Sequence, residues 1–340
     1  MKLKKEFSDF YSSIRIDAES NVLKEKREVL SGDIKDNLPS ILSDHDISLN
    51  KSDIRMIDQG SYKYSTTIKA DVVDRDVAVM IPLDISECDD PRKIKGYLRD
   101  SIKIPSRTVS IKEPCIRASY LDKGKEWLHI DLPLYAKSND MVYLARGKEF
   151  SNTYSWEQAD PDGLNDYLCG EINGNNQLRR VICFIKKWKN ESYKSADSDH
   201  MIPPSIGLTL MACDCFAAQT EDNEEYDLLA LQKTMKKMLD RFSVTKDSDG
   251  EIISADIACI LPVAPWTDVF QKMRDSSDTY MPTFYTRLSK AVDNLTNAVN
   301  VQSDHDAAEY VRKVLGDDFD IPPKTVAAFA TQNKREHSFG

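Results

Sequence analysis

The chain has 340 residues, long enough for two joined hydrophobic cores, and its 41% hydrophobic and 30% charged residues are ordinary for a folded globular protein. Its net charge of −10 argues against the broad basic footprint that long nucleic acid needs, while leaving room for a local basic pocket that takes one or two triphosphates. No apolar run approaches membrane-spanning length, Met1–Phe7 lacks a signal-peptide core, and the seven cysteines include no C-x-x-C pair, so a reduced, cytoplasmic protein without a membrane partner or zinc module is expected.

In chain order, Phe7, Phe10, Tyr11 and Ile14, then Leu23, Leu30, Ile34, Leu38 and Ile41, recur at helical spacing and predict one or two amphipathic helices over the first ~45 residues. From Ile54 to about Tyr143 the period changes. Ile54–Ile57 and Val77–Ile81 read as strands, Pro91 opens a helix through Ile94, Leu98 and Ile102, and strands are expected at Arg107–Ile111, Cys115–Tyr120 and Trp127–Tyr135. Past Asn152 the pattern is mostly helical. Helices are predicted around Leu178–Ile185, from Pro203 through Phe216, around Leu228–Phe242 and Phe284–Leu295, and over Ala307–Leu315 with Gly316 as the stop. The expected fold is α+β and bilobed: a mixed-sheet lobe over residues 1–150, a helical lobe over 151–330, a loose polar tail over 331–340, and early helices bracing both lobes.

Two segments carry chemistry. Gln59-Gly60-Ser61 precedes Asp74-Arg75-Asp76, which opens the apolar run Val77–Ile81. In an extended strand residues i and i+2 share a face, so Asp74 and Asp76 project together while Arg75 points away. Asp131 stands inside a second apolar strand, His129-Ile130-Asp131-Leu132-Pro133-Leu134-Tyr135, where an unpaired acid is costly. Clustered carboxylates repel one another, and a divalent cation removes the conflict. Asp74, Asp76 and Asp131 are therefore the candidate catalytic residues and ligands for two Mg²⁺ ions, with Mn²⁺ as the alternative, serving a phosphoryl-type transfer. Other D-x-D pairs, such as Asp44/Asp46 and Asp247/Asp249, sit in polar contexts and read as solvated acids. Gly60 permits close approach of backbone N–H groups to phosphate, and the Ser61 hydroxyl adds a donor.

These residues resemble the signature of the polymerase-β-like nucleotidyltransferases, and more narrowly the cGAS/DncV-like enzymes (CD-NTases) of bacterial CBASS anti-phage defence. The match rests on Gln59-Gly60-Ser61 with Tyr64 and Thr66, on Asp74-Arg75-Asp76, and on His129–Ala136. It continues in Leu178–Trp188, similar to the family's basic helix ending in K-x-W, and in Pro204–Ala212, similar to its serine-opened helix, so that it spans roughly residues 5 to 325. The resemblance implies a polymerase-β-like bilobed cage and synthesis of a cyclic di- or trinucleotide from ATP, GTP or pyrimidine triphosphates, with pyrophosphate released. Linear 2′–5′ oligomers, or single-nucleotide transfer to RNA or protein, are the alternative. It also implies nucleotide-binding roles for Gln59, Gly60, Ser61, Tyr64, Lys186 and Ser205, with Lys186 on the donor triphosphate and Ser205 at a helix N-terminus, where anions are favoured. Tyr64 reads equally as a base-stacking or a packing aromatic, while Arg117 reads as a surface charge ahead of a phosphate or base contact. Many relatives carry D-P-x-N-P-x-N-N where this chain has Leu261-Pro262-Val263-Ala264-Pro265-Trp266-Thr267-Asp268-Val269, which leaves base choice open. Gly340 ends the sequence, and the resemblance implies that in defence operons with ubiquitin-transfer-like proteins such a glycine can be joined to other proteins.

Overall fold

The computed structural model describes residues 1–16, 21–70, 72–105 and 107–324. Helices α1 (Lys4–Ile14) and α2 (Asn21–Ser43) precede β1 (Arg55–Gln59), the one-turn α3 (Gly60–Lys63), the long strand β2 (Val73–Pro82) and α4 (Pro91–Ser101). Six strands follow: β3 (Thr108–Ile111), β4 (Ile116–Asp122), β5 (Lys125–Leu132), β6 (Leu134–Ser138), β7 (Met141–Gly147) and β8 (Tyr154–Gln158). The rest is helical apart from two small hairpins: α5 (Pro161–Ile172), α6 (Asn176–Ser192), α7 (Ser205–Cys215), β9 (Thr220–Glu221), β10 (Glu224–Glu225), α8 (Asp227–Leu239), β11 (Ser243–Lys246), β12 (Ile252–Asp256), α9 (Gln271–Ser276), α10 (Tyr280–Asn300) and α11 (Asp304–Leu315). Helix starts are written locally. Asp90 accepts from the Arg92 N–H ahead of Pro91, Asp160 from the Gly163 N–H ahead of Pro161, and Asn175 from the Leu178 N–H.

The eight-stranded sheet runs β3-β4-β5-β2-β6-β7-β8, with β1 antiparallel to β2. The sequence predicts one strand over Trp127–Tyr135, and the structure has two. Pro133 has no N–H for the ladder and separates β5 from β6. Strand β2 bridges the break: it pairs in parallel with β5 through Val73–Asp76 and with β6 through Val79–Pro82, and Val79 N donates to Pro133 O at 2.9 Å. Past Asn152 the chain is mostly helical, and β8, which the sequence did not predict, adds to the sheet beside β7.

Two large cores result. One packs α2 and α4 on the sheet through Leu30, Ile34, Leu38, Ile94, Leu98, Val77, Val79 and Ile130. The other joins α1 to the later helices through Phe7, Phe10, Phe184, Leu231, Phe284, Leu288 and Val311. The consecutive N-terminal helices thus belong to different cores, α2 to the sheet and α1 to the helices. Among the described residues, no helix is long and apolar enough to cross a membrane.

Candidate active site

The acids meet through strand register. Directly opposite residues on paired strands share a face, and one such row runs Gln59, Asp76, Asp131, Arg117 across β1, β2, β5 and β4. The next row pairs Asp74 with His129. Asp74, Asp76 and Asp131 therefore lie on one face, and Arg75 points away, buried where it donates to Asp58 Oδ1 at 2.9 Å and Leu23 O at 2.8 Å.

The three carboxylates have unequal surroundings. Asp74 is exposed and takes a 3.0 Å contact from His129 Nε2, whose pKa this bond raises. Asp131 is largely covered and accepts from Arg117 Nε and Nη2, both at 2.7 Å. Among the described residues Asp76 has no such cation on it: burial, then the charges of Asp74 and Asp131, push it up to about 7. Side-chain ligand atoms of Asp74, His129 and Asp131 lie within 4.8 Å of one another. A site that crowds three acids, raises one of them and draws in an arginine and a histidine is short of positive charge, and its all-oxygen acids suit a hard divalent cation.

Two cavities share a wall made by Gly60, Tyr64, Asp76 and Ile206. The smaller, about 300 Å³, is lined by Ser61, Thr67, Asp74, Lys186, Lys189 and Ser205. The larger, about 700 Å³, is lined by Gln59, Tyr135, Arg146, Glu157, Asp160 and the segment from Leu261 to Val269. Asp131 lines neither and stands behind Asp76 in the row. In the smaller cavity Lys186 Nζ is buried and donates to Thr66 O and Thr66 Oγ1, each at 3.1 Å; burial holds its pKa down at about 8. Ser61 Oγ lies 3.0 Å from Thr67 Oγ1. Ser205, at the start of α7, accepts from Lys189 Nζ at 2.7 Å. Tyr64 is buried, with its hydroxyl donating to Asn165 Oδ1 at 2.6 Å.

Sequence reasoning passed over Lys189, whose position three residues after Lys186 puts both on one face of α6. It also missed His129 and set Arg117 too readily at the surface; cross-strand register, which a sequence does not print, brings both to the acids. Lys187, next to Lys186, leaves the site and pairs with Glu191 and Asp318, while Trp188 is a core anchor.

Residues 54–135 match the family model "Cyclic GMP-AMP synthase DncV-like, nucleotidyltransferase domain". Among solved structures, the chain is similar to Vibrio cholerae DncV cyclic AMP-GMP synthase in complex with the linear intermediate 5′ pppA(3′,5′)pG, with TM-score 0.68 and 17% identity over 94% of this chain and 96% of that one. Its complex with nonhydrolyzable GTP gives TM-score 0.68 and 16% identity over 94% and 97%. The GTP-bound form gives 0.69 and 16% over 94% and 96%. No curated protein matches the sequence at a significant level. Residues 54–135 are thus a DncV-like nucleotidyltransferase domain, carried in a chain with the polymerase-β-like fold of the cGAS/DncV-like enzymes.

Proposed function

We propose that this protein joins nucleoside triphosphates into a cyclic di- or trinucleotide and releases pyrophosphate. The observation that carries the reading is Asp76 on the wall between two cavities, with Asp131 beside it in the sheet and with Asp74, Lys186 and Lys189 lining the smaller cavity. Asp74, Asp76 and Asp131 would hold Mg²⁺, or Mn²⁺, which when bound offsets triphosphate charge and makes a ribose hydroxyl a better nucleophile. Lys186, Lys189, Ser61 and the N-terminus of α7 at Ser205 bind the donor triphosphate in the smaller cavity. The acceptor nucleotide occupies the larger one, its hydroxyl facing Asp76 across the shared wall. Rebinding of the linear product in the same two cavities then allows closure, and the relative's structure with a linear intermediate supports that order.

Purified protein incubated with α-labelled ATP, GTP, CTP and UTP and Mg²⁺ tests the reading. Small products that resist phosphatase, with masses of cyclic di- or trinucleotides, are expected. A phosphatase-sensitive ladder would replace cyclisation with linear synthesis, and label on RNA or protein would replace it with single-nucleotide transfer.

The biological setting we infer, from the family resemblance, is cytoplasmic anti-phage signalling. The attachment of Gly340 that the resemblance led us to expect lies outside the described residues. Unchanged phage plating on cells that express the complete operon with Asp131→Asn in this chain would remove the defence role.

A further inference from the structure

Arg117 and Asp131 are direct partners on the antiparallel strands β4 and β5. The guanidinium grips both carboxylate oxygens, through Nε and Nη2 at 2.7 Å each. The pair is sheltered, with side chains 29% and 14% exposed. Such fork-to-fork pairing is stronger than a single charged hydrogen bond, and arginine keeps its charge at any pH the fold survives. Asp131 therefore already has a full positive partner on the oxygens that a metal ion would use. The same arrangement is repeated more weakly beside it, where His129 sits on Asp74. Asp76, opposite Asp131 and two residues along β2 from Asp74, has no cation within hydrogen-bonding distance among the described residues and lies on the cavity wall.

An arginine paired with a carboxylate across a sheet is often only a brace. Two observations set this pair apart. It occupies the row that contains Asp76, so its charge lies beside the whole acidic group. It also leaves the metal-facing acids unequally compensated: Asp131 is gripped by a permanent cation, while Asp76 is not. Asp74 and Asp76 line the cavities and Asp131 does not, so a divalent ion held by all three acids would have to compete with Arg117 for Asp131.

We propose that Arg117 is a positioning residue that competes with the metal for Asp131, so that metal loading is weak in the empty protein and becomes strong when a triphosphate enters. The inference rests on the reading of these acids as a metal centre. In the empty state Arg117 holds the Asp131 carboxylate in the sheet row and offsets its charge. A triphosphate bound beside Lys186 and Lys189 would add negative charge that favours a cation there, and Asp131 would then be freed from the guanidinium to help hold it. Loading is thereby tied to substrate, and a full metal site is not left standing without a nucleotide.

The test is Mn²⁺ binding to the full-length, nucleotide-free protein, followed by the loss of the free-ion electron paramagnetic resonance signal. Arg117→Met, which keeps the length and removes the charge, is expected to bind Mn²⁺ at least tenfold more tightly than wild type, with Arg117→Lys between the two. Adding a nonhydrolysable triphosphate should shrink the difference. Wild-type or weaker Mn²⁺ affinity in a folded Arg117→Met protein, or no Mn²⁺ binding in either protein, overturns the proposal. If Arg117→Met does not fold, the wild-type protein decides. With ¹⁵N-labelled arginine, the Nε signal assigned by its loss in Arg117→Lys should shift on addition of Mg²⁺ and triphosphate; an unmoved signal overturns the proposal. Tighter Mn²⁺ binding in a protein that makes no nucleotide product would retain the competition while removing the cyclase reading.

Discussion

The Asp76 carboxylate fills the space that Gly60 leaves by having no side chain. A Cβ built on Gly60 would lie 2.1 Å from Asp76 Oδ2 and 3.0 Å from its Cγ, and Gly60 also adopts φ +66°, where an L side chain is strained. The small turn and the acid are therefore one unit, which explains why the glycine and the D-x-D pair belong together in the sequence.

That contact makes Gly60→Ala informative. Strain of about 1–2 kcal/mol for an L residue at positive φ adds to displacement of Asp76, so the melting temperature should fall by roughly 2–3 °C. Product formation should fall much further, by at least about a hundredfold, or roughly 3 kcal/mol of transition-state stabilisation. Equal, small losses in both measurements would separate Gly60 from the chemistry.

Neutralising the acids should uncouple stability from activity. Asp76→Asn is isosteric and removes a carboxylate that burial and two neighbouring acids disfavour, so its metal-free melting temperature should equal or exceed that of wild type. Turnover should drop at least about a thousandfold, roughly 4 kcal/mol. Asp131→Asn should lose activity similarly but melt lower, because it weakens the bidentate pair with Arg117. Calorimetry of the two variants beside product assays checks both halves.

Lys186 predicts a pH effect with a definite sign. Its folded pKa is held near 8 by burial, below its ordinary 10.5. Between those values the unfolded chain keeps a proton that the folded one has shed, so this group's contribution to stability rises with pH across the window. Phosphate affinity runs the other way, since the ammonium is lost above about 8. The Kd for a triphosphate, measured by calorimetry without turnover, should rise from pH 7 to 9, and Lys186→Arg should flatten the rise. A parallel rise in Lys186→Arg would assign the effect elsewhere.

Lys95 supports the scaffold without touching the site. It is fully buried, and its Nζ donates to Lys112 O at 2.7 Å and to Glu113 O and Gly147 O at 2.8 Å. Lys95→Met would leave three carbonyls short of a donor and should cost about 2–4 kcal/mol, read from the urea midpoint. Turnover per folded molecule should be unchanged at low temperature.

Much of this was legible in the chain because it is local. The alternation that puts Asp74 and Asp76 on one face of β2, the Asp90-Pro91 start of α4, and the helical spacing of Leu178, Val181, Ile182 and Ile185 all follow from a few neighbouring residues. β8 was not legible: Tyr154-Ser155-Trp156-Glu157-Gln158 is half polar and becomes a strand by pairing with β7. The break at Pro133 was visible as a residue, but its consequence, a change of partner along β2, appears only when the strands are assembled.

By itself the sequence determined the list of acids, the glycine turn and the basic helix, since residue type and short spacing set which chemistry is available. Tertiary structure alone decided that Asp131 stands beside Asp76, that Arg117 grips Asp131, that Lys189 joins Lys186 at the smaller cavity, and that Lys187 leaves it. Contacts between distant strands depend on register, and register is chosen by burial of the whole sheet and its covering helices rather than by any segment alone.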